Sequence, residues 1–416
     1  MQTIGKAQHA AKRKVLNLSF TEKSIKSTSE FVFKHIDRWH ELMVDNDNWS
    51  VPFDLSDSVH NLLFDVQGDI CFGASFNTKE PGENAFRKMP HMILEIMLLY
   101  YPLVRSPLRG LLLWLKSLGL DNLLERYSPP GLKDFNKFVH DSVTKRIKYQ
   151  EELRQNPEIQ ERLDMFHYLC EARDPDSGQF VHDEHSLRAE AALVMVAGSD
   201  TTATIFTATM FYLSLPSQAH RLQKVVNEIR STFDAAEDIK TGPQLSSCTY
   251  LLACIEEAMR LAPAAPSELP RVVREGGAVI KGEFYPAGTI VGTSNYVDGR
   301  NEQFYEDCQD YRPERWIVSD HVSHEEVARA RSNFRPFGSG PLNCAGKKLA
   351  MIELLALVGR TLWRFDMRRA PGARLTLGGG SPDLGWGQRD PDQFRLIDAY
   401  MTLHEGPMLQ LRKRVN

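Results

Sequence analysis

The chain has 416 residues, 42% hydrophobic and 25% charged, which is enough apolar material for a sizeable core and argues against a disordered polymer. A net charge of −4 gives no general attraction for nucleic acid. The six cysteines, Cys71, Cys170, Cys248, Cys254, Cys308 and Cys344, contain no C-x-x-C pair, which argues against a disulfide framework or a zinc site and for a reducing compartment.

In chain order, Met1-Gln2-Thr3-Ile4-Gly5-Lys6 reads as neither signal peptide nor anchor helix. Apolar residues recur at helical spacing from Phe31 to Leu42, Phe135 to Ile147 and Leu187 to Leu213. Pro129-Pro130-Gly131, Asp174-Pro175-Asp176-Ser177-Gly178 and Pro216 break the helical pattern between them. The longest apolar region, Met97 to Leu120, is interrupted by Pro102, Arg105, Pro107, Arg109 and Lys116. A spanning helix wants roughly 20 nearly uncharged residues, so this region predicts two buried helices joined by a turn or, alternatively, a surface that dips into a bilayer face. After Arg260 the texture changes: Val279 to Val291 reads as short strands and turns, and a further helix runs from near Ala345 to about Phe365. The tail, with Gly378-Gly379-Gly380 and Gly406-Pro407, predicts loops and hairpins. The expected fold class is mainly α with a minor β portion, as one domain over residues 1–416.

Two segments carry chemistry. In Pro336-Phe337-Gly338-Ser339-Gly340-Pro341-Leu342-Asn343-Cys344-Ala345-Gly346, three glycines crowd one cysteine just before a helix. Gly338 and Gly340 permit a tight loop with exposed N–H groups, which together with the helix N-terminus are expected to favour a thiolate. Gly346 removes a side chain beside the sulfur. A lone cysteine in such a turn would otherwise read as an inert buried thiol; the complete spacing F-x-x-G-x-x-x-C-x-G turns the reading to a metal ligand. The second segment is Ala197-Gly198-Ser199-Asp200-Thr201-Thr202, inside the apolar helix. Its hydroxyls compete for backbone carbonyls and predict a local groove. An acid beside an alcohol in apolar surroundings points to function.

The cysteine segment resembles the haem-binding loop of the cytochrome P450 family, and other landmarks follow in that family's order. Glu257-Ala258-Met259-Arg260 is similar to its E-x-x-R helix, and Arg312-Pro313-Glu314-Arg315-Trp316 to its P-E-R-W element. The resemblance implies a buried Glu257–Arg260–Arg315 cluster that locks the fold behind the haem loop. It implies Cys344 as axial ligand of haem b, with Phe337, Gly338, Gly340 and Gly346 shaping the cofactor site. It assigns Thr201 to hydrogen-bond dioxygen at the iron and Asp200 to relay protons from bulk water. His9-Ala10-Ala11-Lys12-Arg13 resembles the family's propionate-binding helix, and Arg271 is a further propionate partner. Asp65-Val66-Gln67-Gly68-Asp69-Ile70-Cys71-Phe72-Gly73 resembles a packing helix of the membrane-bound eukaryotic branch, especially in filamentous fungi.

The implied reaction inserts one oxygen atom from O2 into a lipophilic substrate, with secondary metabolism the expected setting. Electrons come from NADPH through a separate NADPH-cytochrome P450 reductase, since no dinucleotide motif is visible here. Lys347 and Lys348 read either as its docking surface or as a solvated helix face. Leu193, Val196, Pro263 to Leu269 and Tyr400 to Leu403 are candidate substrate contacts. The expected location is the cytosolic face of the endoplasmic reticulum membrane. The sequence departs from the family pattern twice. Leu342 stands where a basic residue usually meets a propionate, and the family's anchor, first helices and first two strands have no counterpart before His9. The second departure predicts an unpaired sheet edge. Two alternatives remain open: a haem-dependent isomerase or dehydratase, and a truncated remnant that binds haem weakly or not at all.

Overall fold

The computed structural model describes residues 1–416 except 1–5, 45–47, 108–109, 112–113, 116–117, 121–125, 128–129, 157, 159–160, 174–177, 373–376, 386 and 415–416. The main helices are α1 (Lys6–Leu16), α2 (Glu22–Met43), α3 (Leu55–Phe72), α4 (Met89–Arg105), α5 (Pro130–Gln155), α6 (Met165–Cys170), α7 (Glu184–Leu213), α8 (Ala219–Thr232), α9 (Thr249–Leu261), α10 (His324–Asn333) and α11 (Lys347–Arg364). Their starts are written locally. Thr21, Asp54, Asp164, Asp183 and Ser323 cap α2, α3, α6, α7 and α10 by accepting first-turn N–H groups. The break expected at residues 174–177 lies outside the described residues.

The core is built around α7, whose residues from Thr202 to Leu213 are all buried. Trp39, Leu62, Phe206, Phe211, Leu251 and Leu357 bring α2, α3, α9 and α11 against it. Among the described residues α7 is the one helix long and apolar enough to cross a membrane, but 61% of its apolar window is buried inside the fold. A helix apolar on all sides and packed by neighbours is a core helix.

The expectation of two buried helices between Met97 and Leu120 is corrected. α4 runs through Pro102 to Arg105, and Leu98, Leu103, Leu111, Trp114 and Leu118 are all exposed. Periodicity marks a helix with an apolar face; it does not say what that face meets.

The strands are short, as expected from the sequence after Arg260. β1 (Phe53–Asp54) and β6 (Phe365–Arg369) flank β9 (Met408–Lys413), both antiparallel, with Phe53 opposite Leu409 and Met367 opposite Leu411. β2 (Arg271–Val272) pairs with β5 (Ile290–Val291), β3 (Ala278–Ile280) with β4 (Glu283–Tyr285), and β7 (Ile397–Ala399) with β8 (Met401–Leu403). Among the described residues β2 and β5 pair only with each other, and Val272 and Ile290 are exposed. The β7–β8 hairpin is tied to the segment after α9, because Thr402 Oγ1 donates to the Pro263 carbonyl at 2.7 Å and its N–H to Ala264 at 3.0 Å.

Candidate active site

The cysteine loop closes on itself through backbone bonds. The Cys344 N–H donates to the Phe337 carbonyl at 2.8 Å, Gly338 to Arg335 at 2.9 Å and Asn343 to Gly340 at 3.1 Å. Gly338 and Gly340 take φ of +69° and +70°, a region that side chains disfavour, so both glycines are required by the turn itself. Gly346 is different. A methyl group there would lie 3.8 Å from Phe20 and 4.0 Å from Cys344 Sγ, ordinary contact distances, so the folded chain alone does not demand glycine. The space it leaves is beside the sulfur.

Cys344 is reachable from solvent, although protein surrounds it on most sides. The expectation that this setting favours a free thiolate is corrected: burial pushes the thiol up, against backbone N–H groups of Gly346 and Lys347 and the charge of Arg13. Ligation to a metal would then release a proton. An accessible sulfur, N–H groups directed at it and an open glycine position together fit the thiolate face of a haem.

Behind the loop the three-residue lock is complete. Glu257 accepts from Arg260 Nη2 at 2.7 Å and Nε at 2.9 Å, Arg315 Nε at 2.9 Å, Trp316 Nε1 at 3.0 Å and the Arg312 N–H at 2.9 Å. Arg260 and Arg315 spend their other donors on carbonyls of Gly299, Cys308, Asp310, Glu306 and Asp307. Burial opposes the charge on Glu257, but the two guanidiniums outweigh it and hold the carboxyl low. A buried ion cluster is tolerable only when satisfied to this degree.

On α1, His9 and Arg13 lie one turn apart. Arg13 reaches the cysteine loop, donating through Nη2 to Asn343 Oδ1 at 2.9 Å and through Nη1 to the Asn343 carbonyl, with Nε on Asn17 at 2.9 Å. Arg271 is exposed on β2 and donates to the Leu269 and Pro270 carbonyls, both at 3.1 Å. Thus Arg13 stands next to Cys344, whereas Arg271 shares no hydrogen bond with that loop. Leu342 is 50% exposed on the loop.

On α7, hydroxyls bond back to carbonyls as expected: Thr201 to Ala197 at 2.8 Å and Thr204 to Asp200 at 3.0 Å. Gly198 lets α3 approach, since a methyl there would meet the Gln67 amide at 2.7 Å. An apolar cleft between α3, α4 and α7 is lined by Phe64, Ile93, Leu94, Met97, Val196 and Met401. Val196 and Met401 were expected there; Leu193 does not line it. Its polar residues are His60, Ser199 and Asp200.

Two groups are missed by sequence reasoning, His60 and Glu353. Asp200 does not face bulk water; it is buried, and its Oδ1 lies 3.1 Å from His60 Nε2. Glu353 on α11 is fully buried against Thr202 at 3.3 Å and Gln67 at 3.2 Å, and burial pushes its carboxyl up to about 8. The only local signals were a histidine and a glutamate on otherwise apolar helix faces.

The family model described as Cytochrome P450 matches residues 4–377. A cytochrome P450 monooxygenase of Gibberella zeae is 32% identical over all of this chain and 91% of its own length. The monooxygenase fscF of Fusarium equiseti is 31% identical over 99% of this chain and 76% of its own. The monooxygenase poxM of Penicillium oxalicum is 31% identical over 99% and 73%. A crystal structure of a cytochrome P450, CYP102L1, superposes with a TM-score of 0.69 at 17% identity, covering 99% of this chain and 80% of that one, which supports the fold. With landmarks, fold and relatives in agreement, the chain belongs to the cytochrome P450 family and is one of its monooxygenases.

Proposed function

We propose that the enzyme inserts one atom of O2 into a lipophilic substrate of fungal secondary metabolism, using haem b and electrons passed from NADPH by a separate reductase. The observation that carries this reading is the apolar cleft with Asp200 and Thr201 on the helix that forms one wall. Haem, when bound, supplies the electron and dioxygen chemistry. The chain's own residues do the rest. Cys344 would hold the iron, and the Gly346 and Lys347 N–H groups would temper the charge on its sulfur. Phe64, Leu94, Val196 and Met401 exclude water and hold an apolar substrate. The Thr201 hydroxyl and the Asp200 carboxyl position and supply protons on that wall. The relatives' fungal sources support the metabolic setting.

Exposed Leu98, Leu103, Trp114 and Leu118 support a peripheral seat on the cytosolic face of the endoplasmic reticulum membrane. Exposed Lys347 and Lys348, beside the cysteine loop, support a docking surface for the reductase. The test is reconstitution of the haem-loaded protein with a fungal reductase, NADPH and 18O2 against a panel of apolar polyketide- and terpenoid-type compounds. One 18O atom per product molecule is the expected outcome. Conversion without NADPH or label would replace the proposal with an isomerase or dehydratase.

A further inference from the structure

The environment of His60 constrains the proton it shares with Asp200. The Ser56 carbonyl lies 2.7 Å from His60 Nδ1 and can only accept, so Nδ1 carries hydrogen. Nε2 then meets Asp200 Oδ1 at 3.1 Å, and one further proton must lie on that contact. The pair is either imidazolium with carboxylate or imidazole with carboxylic acid. Both residues are almost fully buried, at 2% and 5% exposure, and Asp200 Oδ2 has no hydrogen-bond partner among the described residues. A buried carboxylate oxygen without a partner is costly, and both side chains line the apolar cleft.

The neighbours reinforce this. His404 Nε2 contacts Thr204 Oγ1 at 3.2 Å, and that hydroxyl already donates to the Asp200 carbonyl, so His404 is the donor. Its Nδ1 accepts from Ser56 Oγ at 3.1 Å. Burial, then the charges of His60 and His91, hold His404 neutral. On the outer side, His91 of α4 lies 5.9 Å from His60 ring to ring, half-exposed, with Nε2 2.8 Å from Asp57. The hydrogen bond to Asp57 raises His91 and outweighs burial, with Asp54 and Glu95 adding to it. The charged or titratable groups facing His60 are therefore Asp200, His404, His91 and Asp57.

We propose that His60 is a positioning residue that stores the proton delivered by Asp200, forming with it one proton-holding unit whose open oxygen, Oδ2, serves the cleft. In each delivery the His60 imidazolium passes its Nε2 proton to Asp200 Oδ1, and the resulting carboxylic acid turns and releases that one proton to an oxygen acceptor in the cleft. The carboxylate is thereby restored, and the neutral ring recovers a proton at Nε2 from solvent by way of the His91–Asp57 edge. The delivery step rests on the monooxygenase reading; storage of the proton does not.

Storage is tested by histidine 15N resonances in the diamagnetic ferrous carbon-monoxide form of the holoenzyme, titrated in wild type and Asp200→Asn, with His60→Gln giving the assignment. His60 should stay protonated to a pH at least about one unit higher in wild type than in Asp200→Asn, a tenfold change in proton affinity. Equal titration in the two proteins overturns the proposal, whatever the enzyme oxidises. Delivery is tested with His60→Gln, which keeps an N–H donor for Asp200 but holds no proton. Product per NADPH should fall by roughly tenfold, with the carbon-monoxide spectrum unchanged and an altered pH profile. Full coupling in His60→Gln would mean that His60 acts only as a hydrogen-bonding strut. If wild type yields no product, the monooxygenase reading fails while the titration still decides storage.

Discussion

Thr202, the residue after Thr201 on α7, places its hydroxyl 3.3 Å from Glu353 Oε2 of α11, inside a core that offers this carboxyl no positive partner among the described residues. Burial raises the acid to about 8, so the folded chain holds a proton that the unfolded chain loses above its ordinary value of about 4.3. Stability therefore falls as pH rises through that window. Glu353→Gln keeps an acceptor for Thr202 and removes the penalty. Thermal melting should show the variant more stable than wild type at pH 8, by on the order of a few kcal/mol, and nearly equal at pH 5. Parallel curves at both pH values would contradict the assignment.

Glu257 collects five hydrogen bonds, four from side chains and one from a backbone N–H. Glu257→Ala leaves Arg260 and Arg315 charged and buried. The expected loss is about 3–5 kcal/mol in urea unfolding, since the guanidiniums then lack their anion. A shift below about 1 kcal/mol would mean that the cluster is not the structural lock described.

Leu342 is exposed on the cysteine loop, and Arg13 already uses each of its three nitrogens within the protein. A guanidinium at position 342 adds a charge-assisted hydrogen bond, worth about 1.5–3 kcal/mol, or roughly ten- to a hundredfold in haem retention. Haem transfer to a scavenger protein should be slower from Leu342→Arg than from wild type. Equal rates would show that a propionate does not pass this position.

The Thr201 hydroxyl on α7 is tethered to the Ala197 carbonyl at 2.8 Å, and on the proposed reading it takes part in proton delivery. Thr201→Ala should preserve the haem spectrum and NADPH consumption while product per NADPH drops by roughly tenfold or more. Retained coupling would remove Thr201 from proton delivery.

Much of the site was legible because its chemistry is local. The cysteine loop needs its glycines within a few residues of the thiol, and Glu257 and Arg260 share a face because they lie three apart on a helix. Arg315, 58 residues from Glu257, was reached only through its motif. His60 and Asp200 are 140 residues apart, and only the packing of α3 on α7 joins them. The thiol was read too acidic because glycine N–H groups are visible in sequence and burial is not. Likewise Leu98, Leu103 and Trp114 belong to the longest apolar region of the chain and lie at the surface, since apolar residues are written alike whether they meet a core or another surface.

On the proposed reading Cys344 binds haem iron through its sulfur. That ligation is tested most directly by the carbon-monoxide spectrum of the reduced, haem-loaded chain, recorded beside Cys344→Ser. A strongly red-shifted Soret band in wild type that is lost in the variant is the expected result. An unshifted band in wild type, or the same shifted band in both proteins, would contradict it.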